Sequence, residues 1–441
     1  EQVFNELLAR DMISWTSLIL GYTGHGNHNV ALKCLEKMQL EGFPLNASSF
    51  ICSLKVCGNI GAIEMLYVIH SQIEKQGFLQ RNCVIGNSLV NVYAKLGFPA
   101  KAQAVFDVLP VQDLVSWNTL IAGYVQQRQG HEALTCFNWM QNDGIHPNVA
   151  TFILILSACG YTQAIDKGKQ IHEKIMNKGL LEKDIMLGNA LIDMYAKCGM
   201  VSQAQKVLEE LPLRDIVSWN ALISGYAEEG QGFEALNSFD CMQNEGIFPD
   251  VVTFICVLKA CSITRAIEKG NQIYEEILSC NLLAKDITLG TALVDMYAKC
   301  GVLSKAQEIL EELPIRNLVT WSALITGYTQ QGQGYEALNN FEQMQSEGLS
   351  PDSVTFISIL KACGSTGAIE IGENIHDIIV RMRLLENDIV LGTALVDMYG
   401  KCGILAKAKM VLEELPERNT ISWNALLAGY SQHGQGYEAL D

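Results

Sequence analysis

Apolar positions recur along this chain at the spacing of a helix face. In Ile287–Asn317, residues Leu289, Ala292, Leu293, Met296 and Tyr297 follow the i, i+3, i+4, i+7, i+8 stripe that predicts an amphipathic helix. Gly301 interrupts the stripe. Ala306, Ile309, Leu310 and Leu313 resume it as a second helix, which Pro314 is expected to stop. Ile216–Asp250 reads the same way, with Gly230 and Gly232 between its two helices and Pro249 near its end.

These paired stripes repeat. Trp15, Trp117, Trp219, Trp321 and Trp423 stand 102 residues apart. Each 102-residue unit holds three related motifs, for example Ile216–Asp250 (35 residues), Val251–Asp286 (36) and Ile287–Asn317 (31). Four such triplets occupy 12–113, 114–215, 216–317 and 318–419 without a gap. Residues 1–11 read as the tail of a preceding 31-residue motif, and 420–441 as the first part of another 35-residue motif. The chain is therefore expected to be a piece of a longer protein. One helical pair of this size cannot bury its apolar face alone, whereas stacked neighbours can. The expected fold is all-α: an α-solenoid of stacked helix-turn-helix repeats, one continuous repeat domain with a concave surface.

Composition narrows the function. Nearly half of the residues are apolar and 18% are charged, with a net charge of −17, which argues against a polybasic nucleic-acid coat. Any nucleic-acid site has to be local. There is no run of 18 apolar residues, so no membrane span is expected. Cys57, Cys159, Cys261 and Cys363 keep the 102-residue interval, as do Cys198, Cys300 and Cys402, which reads as buried packing. No C-x-x-C is present, so neither a zinc ribbon nor a thioredoxin-like motif is available.

The 35-36-31 alternation, together with VSWNALISGY from Val217, the TF..VLKAC of the 36-residue motifs and the ALVDMYAKCG of the 31-residue motifs, resembles the P, L and S motifs of PLS-class pentatricopeptide repeat proteins. The resemblance covers essentially the whole chain. It implies a right-handed superhelix that binds single-stranded RNA, one nucleotide per repeat, with the N-terminus toward the RNA 5′ end. Plant PLS arrays mostly serve organellar C-to-U RNA editing, which implies a mitochondrion or a chloroplast. They usually carry C-terminal extension modules, often ending in a DYW-type deaminase.

In that family the fifth and last residues of a motif read a base. Here the fifth residue of every complete 35- or 31-residue motif is Asn, Thr or Ser, whereas the 36-residue motifs place Ile51, Ile153, Ile255 and Ile357 there. Isoleucine cannot hydrogen-bond a base, so the alternation itself points to reading. An ionised Asp only accepts and suits the imino N–H of uracil or guanine; Asn also donates and suits the bare ring nitrogen of cytosine or adenine. The family assigns Thr or Ser at the fifth position to purines and Asn to pyrimidines. Thr16/Asn46 then reads A, Asn87/Asp113 U and Asn118/Asn148 C, with U tolerated. Asn189/Asp215 and Asn220/Asp250 read U, Thr291/Asn317 A, Ser322/Asp352 G and Thr393/Asn419 A. Asn424 implies a pyrimidine. With x for the 36-residue motifs, the expected target is 5′-AxUCxUUxAGxAY-3′. The same residue types also cap helices.

Second-position residues are expected to pack on base faces: Ile13, Val84, Val115, Met186, Val217, Thr288, Val319, Val390 and Ile421. Lys95, Lys197, Lys299 and Lys401, at the thirteenth position of the 31-residue motifs, are candidate phosphate contacts, although lysines also satisfy last-turn carbonyls. The equivalent positions Gly24, Gln126, Glu228 and Gln330 are not basic, so the salt dependence should be shallow. The pairs Glu209–Glu210, Glu311–Glu312 and Glu413–Glu414 are expected to face away from the groove.

No catalysis is expected from this segment. The deaminase requires H-x-E and P-C-x-x-C, and neither is present. His70, His172 and His376, with Tyr274 filling the gap, read as repeat packing. No metal, cofactor or small-molecule substrate is implied. Site selection for editing is the leading reading, with transcript processing or stabilisation and a protein-interaction scaffold as alternatives. Accessory editing proteins at the 36-residue motifs are a further expectation by analogy.

Overall fold

The computed structural model describes residues 4, 11–43, 45–283, 286–386, 388–435 and 437. Most of the partial motif 1–11, and residues 438–441, lie outside them. Among the described residues all regular structure is helical: twenty-five α-helices from Met12–Gly24 to Thr420–Gln432, a 3-10 turn at Leu384–Glu386, and no strand. By contacts the chain forms two units, 1–225 and 226–441.

Each motif is a pair of helices, as the stripes predict. In the first unit, the first helices of successive motifs stack directly: Ala47–Ile60 on Cys83–Lys95, Cys83–Lys95 on Leu114–Gln126, and Val149–Thr162 on Ile185–Lys197. A second helix packs on its own partner and on the first helix of the next motif, as Gly130–Asn142 does on Leu114–Gln126 and Val149–Thr162. The second unit repeats this order from Val251–Thr264 through Ile287–Lys299, Leu318–Gln330, Ser353–Thr366 and Ile389–Lys401 to Thr420–Gln432. The sandwiching explains the composition. Val149–Thr162, VATFILILSACGYT, is nearly apolar all round, whereas the outer Ile165–Asn177 buries only Gly168, Ile171 and Ile175.

Boundaries follow the punctuation. Gly301 takes φ +81° just after Ile287–Lys299, a conformation that glycine adopts without steric cost. The following helix, Leu303–Glu312, ends two residues before Pro314.

The recurring residues pack. Cys57, Cys159, Cys261 and Cys363 have no exposed surface, and burial pushes their thiols up, Cys57 to about 11 and the others to about 12. Cys198, Cys300 and Cys402 each point a thiol at the carbonyl of Cys159, Cys261 or Cys363, 3.7 Å away. His70, His172 and His376 pair Nδ1 with the hydroxyls of Tyr93, Tyr195 and Tyr399 at 2.8, 2.9 and 3.0 Å, and burial holds these imidazoles below their ordinary range. Where Tyr274 replaces histidine, Tyr297 donates instead to Asn271 Oδ1 at 2.7 Å.

One packing device is incomplete. Trp15 Nε1 donates to Glu41 Oε2 at 3.2 Å and Trp321 Nε1 to Glu347 Oε2 at 2.9 Å. The second triplet has Asp143 at the equivalent position, one methylene shorter. Trp117 Nε1 is buried without a protein partner, and both residues line a pocket of about 640 Å³. Asp143→Glu is expected to restore the bond and add about 1 kcal/mol of stability, read as a higher thermal unfolding midpoint.

Candidate functional site

The last residue of each 35- or 31-residue motif is the N-cap of the next first helix. Asn46, Asp113, Asn148 and Asp215 accept the third-position backbone N–H of Ser49, Ser116, Thr151 and Ser218 through Oδ1, at 2.8 to 3.0 Å. Asp250, Asn317, Asp352 and Asn419 do the same with Thr253, Thr320, Thr355 and Ser422, at 2.8 to 2.9 Å. Capping and ligand recognition are therefore not exclusive. The cap occupies Oδ1 and leaves the other terminal atom, Oδ2 in aspartate and Nδ2 in asparagine, to set the chemistry. For Asp113, the hydrogen bond from the Ser116 backbone holds the carboxyl below the usual carboxylate range, so it stays an acceptor.

The fifth residues lie near the start of their own motif's first helix, so each pair spans two successive first helices. Four join their partners. Asn118 Nδ2 donates to Asn148 Oδ1 at 3.3 Å, and Asn189 Nδ2 donates to Asp215 Oδ1 and Oδ2 at 3.1 and 3.3 Å. Thr291 reaches Asn317 through the Thr320 hydroxyl, and Ser322 reaches Asp352 through the Thr355 hydroxyl. Thr16 and Thr393 instead donate to Met12 O and Ile389 O, one turn back, at 2.7 and 2.9 Å. Asn87 is not hydrogen-bonded to Asp113. The Oδ1 atoms of Asn87 and Asn189 are buried acceptors without a partner. Asn220 is buried in the first unit, Asp250 caps Val251–Thr264 in the second, and Asn424 is exposed.

All nine second-position residues are solvent-exposed, the apolar ones from 54% (Val217) to 73% (Ile13). A ladder of exposed apolar side chains beside helix caps is unusual for surface packing alone. The structure adds Val252 and Val354, which hold the same register in 36-residue motifs and are equally exposed. In the second unit Val319, Val354, Ser322, Asp352 and Lys299 line one pocket of about 320 Å³.

The lysines are already engaged. Lys197, Lys299 and Lys401 pair with Asp193, Asp295 and Asp397 one turn earlier, each at 2.7 Å, and Lys95 donates to Asn59 Oδ1 at 2.7 Å. The pairs Glu209–Glu210, Glu311–Glu312 and Glu413–Glu414 are exposed at the C-terminal ends of second helices, whereas the fifth-position residues sit on first helices.

The 36-residue motifs lack the whole arrangement. Besides their fifth-position isoleucines, the next motif puts Ile85, Leu187, Leu289 or Leu391, fully buried, where a Ser or Thr hydroxyl stands elsewhere. The caps there, Asn82, Asp184 and Asp286, accept both second- and third-position N–H groups.

Comparisons agree with this architecture. Models described as PPR repeat family match residues 112–160, 214–262 and 316–365, and models described as PPR repeat match 13–43, 87–111, 189–216, 291–318 and 421–441. A chloroplastic pentatricopeptide repeat-containing protein of Arabidopsis thaliana is 33% identical over 100% of this chain and 70% of its own length. A mitochondrial one is 32% identical over 100% of this chain and 63% of its own length. A second chloroplastic relative is 32% identical, and the chain spans only 54% of it. Among solved structures, PPR10 in complex with an 18-nt psaJ RNA element superposes with a TM-score of 0.71 at 19% identity, over 99% of this chain and 69% of that one. PPR10 from maize gives 0.62 at 20% identity, over 100% and 69%. Repeat models along its length, and relatives a third identical across all of it, make this chain a member of the pentatricopeptide repeat family.

Proposed function

We propose that this chain binds single-stranded RNA in a sequence-dependent way, as a PLS-class array reading 5′-AxUCxUUxAGxAY-3′, and that it selects sites for C-to-U editing in a mitochondrion or chloroplast. The observation that carries the reading is the pocket that gathers Val319, Val354, Ser322, Asp352 and Lys299. It offers two apolar walls for a base face, two polar groups for its edge and the Lys299–Asp295 ion pair beside them. The chemistry matches elsewhere. Asn87 and Asn189, whose Oδ1 atoms want a donor, are paired with aspartates, and both sites are assigned to uracil, which offers an imino N–H. Relatives named chloroplastic or mitochondrial support the compartment, and the RNA seen with PPR10 supports the ligand class.

The test is a fluorescence-anisotropy titration of the chain with two RNAs. One carries the register; the other exchanges purines and pyrimidines at the eight fully read positions. Each mismatch is worth about 1–3 kcal/mol, so the first should bind at least about a thousandfold more tightly. Equal affinities would sink base reading and favour a scaffold.

A further inference from the structure

We propose that Thr151, Thr320 and Thr355 are positioning residues of the reading sites, each a third determinant of base choice beside the fifth and last residues. The inference rests on the base-reading function proposed above. All three are fully buried, and each hydroxyl lies between the two readers. Thr151 Oγ1 is 2.8 Å from Asn118 Oδ1 and 2.9 Å from Asn148 Oδ1. Thr320 Oγ1 is 3.0 Å from Thr291 Oγ1 and 2.8 Å from Asn317 Oδ1. Thr355 Oγ1 is 2.5 Å from Ser322 Oγ and 2.6 Å from Asp352 Oδ1.

A hydroxyl carries one proton, so such a chain has a direction. When Thr355 donates to Asp352, Ser322 must donate to Thr355. Ser322 and the free Asp352 oxygen then face the ligand as acceptors, which matches the N–H edge of guanine. When Thr151 donates to Asn118 Oδ1, Asn118 Nδ2 donates to Asn148 Oδ1, which leaves the second Asn118 N–H and the Asn148 amide nitrogen for a ligand. That pair presents donors, which match cytosine.

Serine at the same position is more variable. The hydroxyls of Ser49, Ser218 and Ser422 donate to the main-chain oxygens of Asn46, Asp215 and Asn419, at 2.8 to 2.9 Å, with Ser218 also 3.2 Å from Asp215 Oδ1, whereas Ser116 donates to Asp113 Oδ1 at 2.8 Å. Threonine is stiff at χ1, whereas serine rotates freely to that carbonyl. Asn189 Oδ1 receives no bond from Ser218 and is left a buried acceptor without a protein partner, while Asn189 Nδ2 is held by Asp215. At these two sites the choice between Thr and Ser thus decides which atom of the fifth-position Asn is left for the base.

The experiment uses the full chain, with RNAs that differ only in C or U at the nucleotide facing Asn118 or at the one facing Asn189. Thr151→Val is expected to lower the C-over-U ratio at the first nucleotide by about fivefold, and Ser218→Thr to lower the U-over-C ratio at the second by about fivefold, the worth of one such hydrogen bond. Neither should move the ratio at the other nucleotide. A purely structural hydroxyl would weaken all RNAs alike. Unchanged ratios in both variants, with the wild-type ratios intact, overturn the positioning role alone. Wild-type protein without any C/U preference at these nucleotides overturns base reading and the inference with it.

Discussion

Asp215→Asn is expected to reverse the preference at the nucleotide facing Asn189, from uracil to cytosine. Asp215 Oδ1 accepts the Ser218 N–H at 2.9 Å, and asparagine caps a helix as well as aspartate does, so the substituted oxygen stays in place. Asn189 Nδ2 can go on donating to it, as Asn118 donates to Asn148. The other atom, which accepts from Asn189 Nδ2 at 3.3 Å in the wild type, changes from an acceptor to a donor, and Asn189 keeps its bond to Oδ1. Against that donor the imino N–H of uracil is repelled, while the bare N3 of cytosine accepts. The loss for uracil should be about 1–3 kcal/mol, and cytosine should gain a comparable advantage. Competition binding with two RNAs that differ at this nucleotide reads the result, and a thermal melt should show unchanged stability. Retention of the uracil preference would separate the last residue from base choice.

Gly123→Val should be the most damaging single change to stability among the glycine positions facing a stacked helix. Gly123, Gly327 and Gly429 recur at one motif position, where the first helix meets the first helix of the preceding motif. A Cβ on Gly123 would sit 2.3 Å from Ala94 Cβ, far inside contact distance, with little room for two packed helices to part. Overpacking of this kind costs about 3 kcal/mol, only slightly offset by the better helix propensity of valine. Urea unfolding of the variant and the wild type should separate them clearly. Similar midpoints would mean that the helices slide apart cheaply.

Much of this was legible in the sequence because repetition amplifies weak signals. The paired stripes, Gly301 and Pro314 gave the helices and their ends, and the 102-residue interval gave the packing roles of Cys159 and His172. The proposed reader positions came from the family resemblance, with the Asn/Thr/Ser against Ile alternation in their support. Several things were not read. Thr151, Thr320 and Thr355 look like ordinary helix-start residues until the fold brings a reader from the preceding motif, 29 to 33 residues away, onto the same hydroxyl. Val252 and Val354 were passed over because their motifs lack polar readers, yet a wall can serve the neighbouring site. The Asp193–Lys197 spacing of four was visible as a helix pair, but its bearing on the lysine depends on geometry. The missing partner of Trp117 turns on a single methylene at Asp143.

The pairing of Lys197, Lys299 and Lys401 with their own aspartates has a kinetic consequence. An ammonium that already holds a carboxylate at 2.7 Å projects little field, and the chain as a whole carries −17. On the proposed reading, RNA meets a surface that does not pull it in. Encounter should proceed no faster than the unsteered rate, about 10⁵–10⁶ M⁻¹ s⁻¹, and should quicken as added salt screens the repulsion between the acidic chain and RNA. Selectivity must then reside in how long the right strand stays, and wrong strands are released before they accumulate. Such a protein would search a crowded transcript pool with little time lost on non-cognate sequences.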